Sequence, residues 1–300
     1  MVLELKNVTK KLDNKDVINN VCFSIDENNI VALVGPNGAG KTTLLKLIAS
    51  LLKPDKGTIK ISGINIQKET KKILSQVIFL QDSSILYEEL TGYEQLKFIA
   101  KVRNKSKTDI QKVIDTLQIS NYVNLKVKNY SLGMKQHLLL AIAILSKPKL
   151  ILFDEPLNGL DPTSVLRFRR ILKQLKSYGT TILFSSHILS EIDQIADNII
   201  FISNGSIIKE ASINHDKDND ITYKIKVIDS ILALKVLKNK DYVSTINAGE
   251  NNYIFVSITK NSLDSILKVL NENNVSVEDI SKIENNTEKI YHSVYGDTYE

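Results

Sequence analysis

GPNGAGKT, at residues 35–42, is the stretch that decides the fold of this chain. The short apolar run IVALV (30–34) precedes it, and KTTLLKLIASLL (41–52) follows it with leucine and isoleucine at helical spacing. A loop of the form G-x-x-x-x-G-K-[ST] between a strand and a helix binds phosphate, because its backbone N–H groups and the helix N-terminus surround the phosphate oxygens. The sequence therefore predicts an α/β fold with a site for a nucleoside triphosphate.

The residue types of this loop fit phosphate and metal binding. We expect the glycine backbone to approach the phosphates closely, Lys41 to neutralise β- and γ-phosphate charge, and the Thr42 hydroxyl to ligate Mg²⁺. The alternative, a glycine-rich turn whose lysine is merely exposed, is disfavoured by the strand and helix patterns on either side. The predicted nucleotide-binding residues of the loop are Gly35, Pro36, Asn37, Gly38, Ala39, Gly40, Lys41, Thr42 and Thr43.

Four further apolar runs indicate a mostly parallel core sheet that is buried on both faces. Open α/β sheets bind their ligands at the carboxyl ends of the strands. Polar residues stand at three of these ends, namely Gln81, the pair Asp154-Glu155, and His187. The sequence therefore predicts that these side chains share one sheet edge with the phosphate-binding loop. The four runs are VIFL (77–80), LILF (150–153), TILF (181–184) and IIFI (199–202).

The polar strand ends are suited to metal binding and catalysis. Asp154 can hold Mg²⁺, and Glu155 is the candidate general base that polarises the water attacking the γ-phosphate. We expect His187 to bond the γ-phosphate or position the water, Gln81 to contact Mg²⁺ or the water, and Lys41 to complete the catalytic set. An acid pair can instead cap a turn, and a lone histidine is usually structural. The nearby phosphate loop favours the catalytic interpretation.

The pattern of the chain divides it into domains. Residues 1–212 form the predicted nucleotide-binding domain, interrupted at about 83–135 by a polar, helical insert. A polar stretch at 213–220 is the predicted linker. Residues 221–300 read as β-α-β-β-α-β, which indicates a small accessory α+β domain of the ferredoxin-like kind. No catalytic motif occurs in this last part, and a structural appendage is one interpretation of it.

Composition excludes several classes of protein. The longest uncharged apolar run, LLLAIAIL at 138–145, is far shorter than the roughly 20 residues of a membrane span. The N-terminal residues lack the apolar segment of a secretory signal, and the single cysteine, Cys22, cannot form an intrachain disulfide. The net charge is +5, and the sequence contains no block of five or six basic residues, so we expect no nucleic-acid partner.

Residues 1 to about 212 resemble the ATP-binding subunits of ABC transporters, with six motifs in the family's order. GPNGAGKTT resembles the Walker A motif and LILFDEP the Walker B motif. The others are FLQD (79–82) as the Q-loop, YSLGMKQ (130–136) as the signature, NGLD (158–161) as the D-loop and SSH (185–187) as the switch histidine.

The resemblance implies a mechanism and partners. Two ATPase subunits, expected to be a homodimer, would pack head to tail, with each ATP and its Mg²⁺ between the Walker A of one and the signature of the other. Ser131 and Gly133 would reach the partner's γ-phosphate, and Asp161 would shape the dimer contact while also capping the helix at Pro162. The resemblance further implies a separate integral membrane permease and a cytoplasmic location, peripheral on the inner face of the cell membrane.

Departures from the family pattern narrow and qualify the resemblance. Leu132 and Met134 replace the first glycine and the glutamine of the usual L-S-G-G-Q signature. The resulting S-L-G-M-K-Q form resembles a subgroup for bacitracin-type and lantibiotic-type peptide export or self-protection, which implies antimicrobial peptide or drug export and resistance. His137 stands where that subgroup usually has arginine. Leu12 stands where the family often stacks an aromatic residue on adenine, and we expect the leucine to pack on the base with a smaller contact than an aromatic ring would give.

Two other functions fit part of the sequence. One is a soluble ABC ATPase acting on ribosomes, nucleic acid or cluster assembly. Translation-associated members usually fuse two ATPase domains and DNA-repair members have long coiled coils, and this sequence shows neither feature. A nucleotide-binding regulator without hydrolysis is disfavoured because Lys41, Asp154, Glu155 and His187 are all present.

Overall fold

The computed structural model describes residues 1–81, 83–213, 221–238, 240–249, 251–258, 263–283 and 286–295. Asp82 of the FLQD motif and residues 214–220 of the predicted linker lie outside the described residues. The chain divides into two compact units, Met1–Ser212 and Ile213–Glu300.

The first unit contains two sheets. The core sheet has the strand order β10-β9-β3-β8-β7-β6, and its neighbours are parallel except for the hairpin of β9 and β10. The other sheet, β2-β1-β4-β5, is antiparallel. The strands are β1 (Leu3–Leu12), β2 (Lys15–Ile25), β3 (Ile30–Val34), β4 (Lys56–Ile61), β5 (Ile64–Asn65), β6 (Val77–Leu80), β7 (Leu150–Phe153), β8 (Thr181–Ser186), β9 (Asn198–Ser203) and β10 (Ser206–Ser212).

Along the chain, the helices of the first unit alternate with these strands. Helices α3 and α4 of the insert pack on α5, and both begin with a capping box, formed by Thr91 with Glu94 and by Ser106 with Asp109. The helices are α1 (Lys41–Ile48), α2 (Thr70–Gln76), α3 (Gly92–Val102), α4 (Lys107–Leu117), α5 (Leu132–Ser146), α6 (Pro162–Ser177) and α7 (Leu189–Ile195).

The core sheet confirms the predicted fold class. Strands β3, β7 and β8 are buried along their whole length, as their uninterrupted apolar runs indicated. One apolar core joins the two sheets, and α1 contributes Leu44, Leu45, Leu47 and Ile48 to it. The loop before α1 is therefore attached to a rigid strand on one side and a buried helix on the other.

The second unit is a separate α+β fold. Its sheet has the order β12-β13-β11-β14, and every neighbouring pair is antiparallel. With α8 and α9 between the strands, this is the expected ferredoxin-like β-α-β-β-α-β arrangement. The elements are β11 (Ile221–Val227), α8 (Ser230–Leu237), β12 (Val243–Ala248), β13 (Tyr253–Ile258), α9 (Leu263–Glu272), β14 (Val277–Ile283) and α10 (Asn286–Tyr295).

Among the described residues, no helix has the length and apolar character that a membrane span requires.

Candidate active site

The phosphate-binding loop connects β3 to α1, as the motif predicted. Gly40 is the N-cap of α1 and has a φ of 104°, a conformation that residues with a side chain rarely adopt. A Cβ at this position would also lie 2.8 Å from the backbone oxygen of Val17. Glycine is therefore required twice at this position, by the backbone conformation and by the close approach of β2.

Lys41 is buried at the start of α1, and its ammonium group faces the loop. The group donates hydrogen bonds to the carbonyls of Gly35 at 2.7 Å and Pro36 at 3.2 Å. It also lies 3.5 Å from Oε1 of Glu155. Only 7% of this side chain is exposed, so the positive charge is held inside the site rather than in solvent.

Asp154 brings the end of β7 to the loop. Its Oδ2 accepts the hydroxyl of Thr42 at 2.7 Å, and its Oδ1 accepts the hydroxyl of Ser185 at 2.7 Å. The backbone N–H of Asp154 donates to the carbonyl of Leu80, the last residue of β6. Gln81 directly follows Leu80, so its predicted place at the same sheet edge agrees with the strand order.

Glu155 has an unusual backbone conformation at the centre of the cluster. Its φ is 48°, in the left-handed region, which costs a residue with a side chain about 1–2 kcal/mol. Its N–H donates to the Ser185 hydroxyl at 2.8 Å, and its Oε2 lies 2.9 Å from Nδ1 of His187. The surrounding structure holds this carboxylate between Lys41 and His187, whose side chain is half exposed.

Ser131, Gly133 and Asp161 form a different cluster, at the N-termini of α5 and α6. Ser131 caps α5 by accepting the Met134 N–H at 3.3 Å. Asp161 caps α6 by accepting the N–H and the hydroxyl of Ser164 at 3.0 and 2.6 Å, and these hydrogen bonds lower the pKa of Asp161. A Cβ on Gly133 would lie 2.9 Å from the Ser164 hydroxyl, so the two helix starts are in close contact.

His137 is a buried residue of α5 behind this cluster. Its Nδ1 lies 3.0 Å from the hydroxyl of Tyr122, and its Nε2 is buried without a hydrogen-bond partner. Burial, with a smaller contribution from the charge of Arg167, lowers the pKa of His137 to about 4. The imidazole is therefore neutral near pH 7, and this position lacks the positive charge of the arginine expected there.

Leu12 ends β1 at the tip of the β1–β2 hairpin, opposite Lys15, and is 38% exposed. Val17 of the same hairpin lies against Gly40, so the hairpin borders the phosphate loop. An apolar side chain at this tip is compatible with the predicted contact to the nucleotide base. That contact stays a prediction.

Two residues of the site region were not anticipated from the sequence. One is Ser185, which bonds both acids at the end of β7. The other is the buried Gln136, whose amide donates to the carbonyl of Pro156 at 2.9 Å and so ties α5 to the segment after Glu155. Ser185 lies in the SSH motif and Gln136 in the YSLGMKQ motif, so their place in a motif was the one signal in the sequence that could have identified them. Their partners are distant in sequence.

A groove of about 820 Å³ lies next to the insert. Its lining is mainly apolar, and several of the apolar side chains are substantially exposed. They come from the segment after α1, from α2, from the segment before α3 and from α3 itself. They are Leu51, Leu74, Ile85, Tyr87, Phe98 and Val102.

Comparisons with known proteins show what this chain is similar to. The family model described as ABC transporter matches residues 18–158. The chain is 33% identical to the bacitracin transport ATP-binding protein BcrA of Enterococcus faecalis, covering 98% of this chain and 96% of the relative. It is 36% identical to the lantibiotic transport ATP-binding protein SrtF of Streptococcus pyogenes, covering 70% and 90%. A solved structure described as the ATP-binding subunit of an ABC transporter superposes with a TM-score of 0.67, at 29% identity, covering 71% of this chain and 90% of that one.

Proposed function

This chain belongs to the ATP-binding proteins of ABC transporters, and on that premise we propose that it is the motor of an exporter. Proteins of this family are ATPases coupled to transport. In the proposal, two copies close head to tail around two Mg-ATP and drive a separate membrane permease. The observation that carries it is the cluster of Lys41, Thr42, Asp154, Glu155 and His187 at one sheet edge.

The geometry of Glu155 suits it to the role of general base. A water oxygen attacks the γ-phosphorus, the bond to the β–γ bridging oxygen breaks, and ADP leaves. Glu155 takes the proton of the water. His187, whose Nδ1 lies 2.9 Å from the Glu155 carboxylate, orients that carboxylate and the water. Lys41 offers positive charge on the side where the phosphates bind, since its ammonium is directed into the loop.

Thr42 and Asp154 are the residues that would hold Mg²⁺. Their oxygens are 2.7 Å apart, and hydroxyl and carboxylate oxygens are the ligands that this ion prefers. Mg²⁺ commonly keeps several waters and needs only one or two carboxylates, so a single aspartate with a threonine fits it. When bound, the ion neutralises charge on the β- and γ-phosphates. Gln81, at the end of the neighbouring strand, is proposed as a further contact.

The second ATPase subunit would complete each nucleotide site. Ser131 and Gly133 lie at the N-terminal end of α5, a 15-residue helix whose positive end favours an anion. In the head-to-tail arrangement this end faces the γ-phosphate bound by the partner. Asp161 and Ser164 support the start of α5 from the adjacent helix, which fits a surface that must keep its shape on contact.

The arrangement predicts the effect of a large charge at this surface. Ser131→Arg should leave nucleotide binding by the monomer within about twofold, because this residue lies outside the phosphate loop, but it should abolish the ATP-dependent dimer. Light scattering with and without Mg-ATP measures the dimer. Ser177→Arg, which introduces the same side chain at the exposed C-terminal end of α6, serves as the matched control. An undiminished dimer of the Ser131→Arg protein would contradict the head-to-tail model.

The apolar groove beside the insert is the proposed contact with the permease. Several of the apolar side chains that line this groove are substantially exposed, and such a group of side chains fits a contact with another protein. Leu80 lines the groove, and Gln81, the proposed further contact to Mg²⁺, directly follows Leu80. ATP binding would move the insert, and a permease segment bound in the groove would move with it. This proposal puts the subunit in the cytoplasm, on the inner face of the cell membrane. By analogy with the relatives named for bacitracin and lantibiotics, the cargo is an antimicrobial peptide or drug.

The decisive experiment is affinity purification of the Glu155→Gln protein from native membranes with Mg-ATP. We expect a polytopic membrane protein to be recovered with it. The Lys41→Ala protein is the control, since it should bind nucleotide poorly and retain less of that partner. Recovery of ribosomes, nucleic acid or only soluble proteins would favour a soluble ABC ATPase instead.

A further inference from the structure

We propose that Ser185 is a positioning residue for ATP hydrolysis, because its one hydroxyl fixes both acids at the end of β7. The inference rests on the proposed roles of Asp154 and Glu155. Ser185 touches neither nucleotide nor water in the proposal, and it acts only through these two residues.

The hydrogen bonds of Ser185 use both capacities of its hydroxyl. The hydroxyl donates to Oδ1 of Asp154 at 2.7 Å and accepts the backbone N–H of Glu155 at 2.8 Å. A hydroxyl has one donor and two acceptor positions, so the two bonds can be made at once. The residue is fully buried, with 0% exposure, so solvent does not compete for either bond.

The strand register explains why this position can reach both acids. Strands β7 and β8 are parallel neighbours, with Phe153 paired to Phe184. The next residue of each strand is therefore Asp154 on one side and Ser185 on the other. A short hydroxyl side chain spans the gap between the strands at this point.

Each bond restrains a different feature of the site. The bond to Oδ1 of Asp154 leaves Oδ2 directed at Thr42, the arrangement that we propose for the metal. The bond from the Glu155 N–H helps to keep that residue at a φ of 48°, the conformation in which its carboxylate lies between Lys41 and His187. Without the hydroxyl, the Asp154 carboxylate can rotate and the Glu155 N–H loses its partner.

The same strand contains a matched control. Thr181 begins β8, at the end opposite Ser185, and is 1% exposed. Its hydroxyl accepts the N–H of Asn28 at 3.0 Å and lies 3.5 Å from the carbonyl of Asp26. Thr181→Val therefore removes a buried hydroxyl with similar bonds from the same strand, but far from the acids.

The test compares Ser185→Ala, Ser185→Thr and Thr181→Val in the full-length protein. We expect Ser185→Ala to lower kcat about 10- to 100-fold, the usual effect of losing a residue that orients a ligand-holding group, while KM for ATP changes less than about threefold. Ser185→Thr, which keeps the hydroxyl, should recover most of kcat. Thr181→Val should show a fall in Tm like that of Ser185→Ala, with kcat within about twofold of the parent.

Equal kcat in Ser185→Ala and Thr181→Val would overturn the inference. Amide hydrogen exchange at Glu155 supplies a readout that needs no turnover, because its N–H should lose protection in Ser185→Ala and keep it in Thr181→Val. Unchanged protection in Ser185→Ala would also overturn the inference. If the parent protein hydrolysed no ATP, the proposed function would fail by itself, and the exchange comparison would still decide whether Ser185 holds Glu155.

Discussion

The two units of this chain contain similar elements but differ in where their strands end. In the first unit, β6, β7, β8 and β3 are parallel, so all four carboxyl ends meet at one edge. Residues as far apart in sequence as Thr42 and Asp154 therefore come within 2.7 Å. In the second unit every neighbouring strand pair is antiparallel, so the carboxyl ends alternate between opposite edges.

The polar contacts of the second unit reflect this difference. Lys226 of β11 pairs with Glu278 of the neighbouring strand β14 at 3.0 Å. Lys224 of β11 lies 4.3 Å from the ring centre of Tyr253, on the other neighbouring strand, β13. These are cross-strand pairs of the kind that stabilise a sheet. The comparison teaches that strand direction, more than composition, determines where distant residues can converge.

The largest effect that we expect tests the catalytic edge of the first unit. Glu155→Gln should lower kcat about 10²- to 10⁴-fold, the usual contribution of a general base, while ATP binding is kept. The ATP-bound dimer should therefore accumulate, which size-exclusion chromatography with light scattering detects. Glu278→Gln, at the ion pair of the second unit, is the control and should leave kcat unchanged. Normal turnover by the Glu155→Gln protein would show that another group is the base.

A second substitution compares two lysines in ion pairs. Lys41→Ala should weaken ATP binding by about 2–5 kcal/mol, because it removes a buried charge that faces the phosphates. Lys226→Ala, from the exposed pair with Glu278, should leave the affinity unchanged. Isothermal titration calorimetry measures both. Equal affinity of the Lys41→Ala and parent proteins would contradict the proposed role of the loop.

The pH dependence of stability should differ between the units. The pKa of His137 is lowered to about 4 in the folded state against 6.5 for the ordinary group, so the unfolded state binds the proton first. Stability from this residue is fully present above pH 6.5 and is lost as the pH falls towards 4. The loss should be about 1.4 kcal/mol at pH 5.5.

Chemical unfolding at pH 7.5 and 5.5, followed by hydrogen exchange of peptides from each unit, measures this loss. We expect it in the first unit, and a His137→Gln protein should lack it. An equal pH response of the parent and His137→Gln proteins would show that another group is responsible.

The smallest expected effect concerns the whole second unit. A protein truncated after Ser212 should bind ATP within about threefold of the full chain, because the contacts of the site described above all come from the first unit. Calorimetry measures the affinity, and circular dichroism checks that the shortened protein is folded. A much weaker affinity of a folded truncated protein would mean that the second unit contributes to the nucleotide site.

Sequence patterns were sufficient for the elements whose signal is local. The phosphate-binding loop at 35–42 could be predicted because glycine, lysine and threonine are needed there at fixed spacing. The parallel sheet was evident because strands buried on both faces are apolar throughout. The antiparallel sheet of β1, β2, β4 and β5 was not predicted, since its strands mix polar and apolar residues and contain bulges that interrupt the alternation.

The sequence by itself determined which residue types stand at the strand ends, and hence the family and the kind of chemistry. Only the tertiary structure decided how those ends meet. The bond of Gln136 to Pro156 and the two bonds of Ser185 join residues 20 or more positions apart, so they depend on helix packing and strand register. The left-handed φ of Glu155 is held by one of these bonds. Local patterns specify which elements form, whereas contacts between elements are selected by the packing of the whole core.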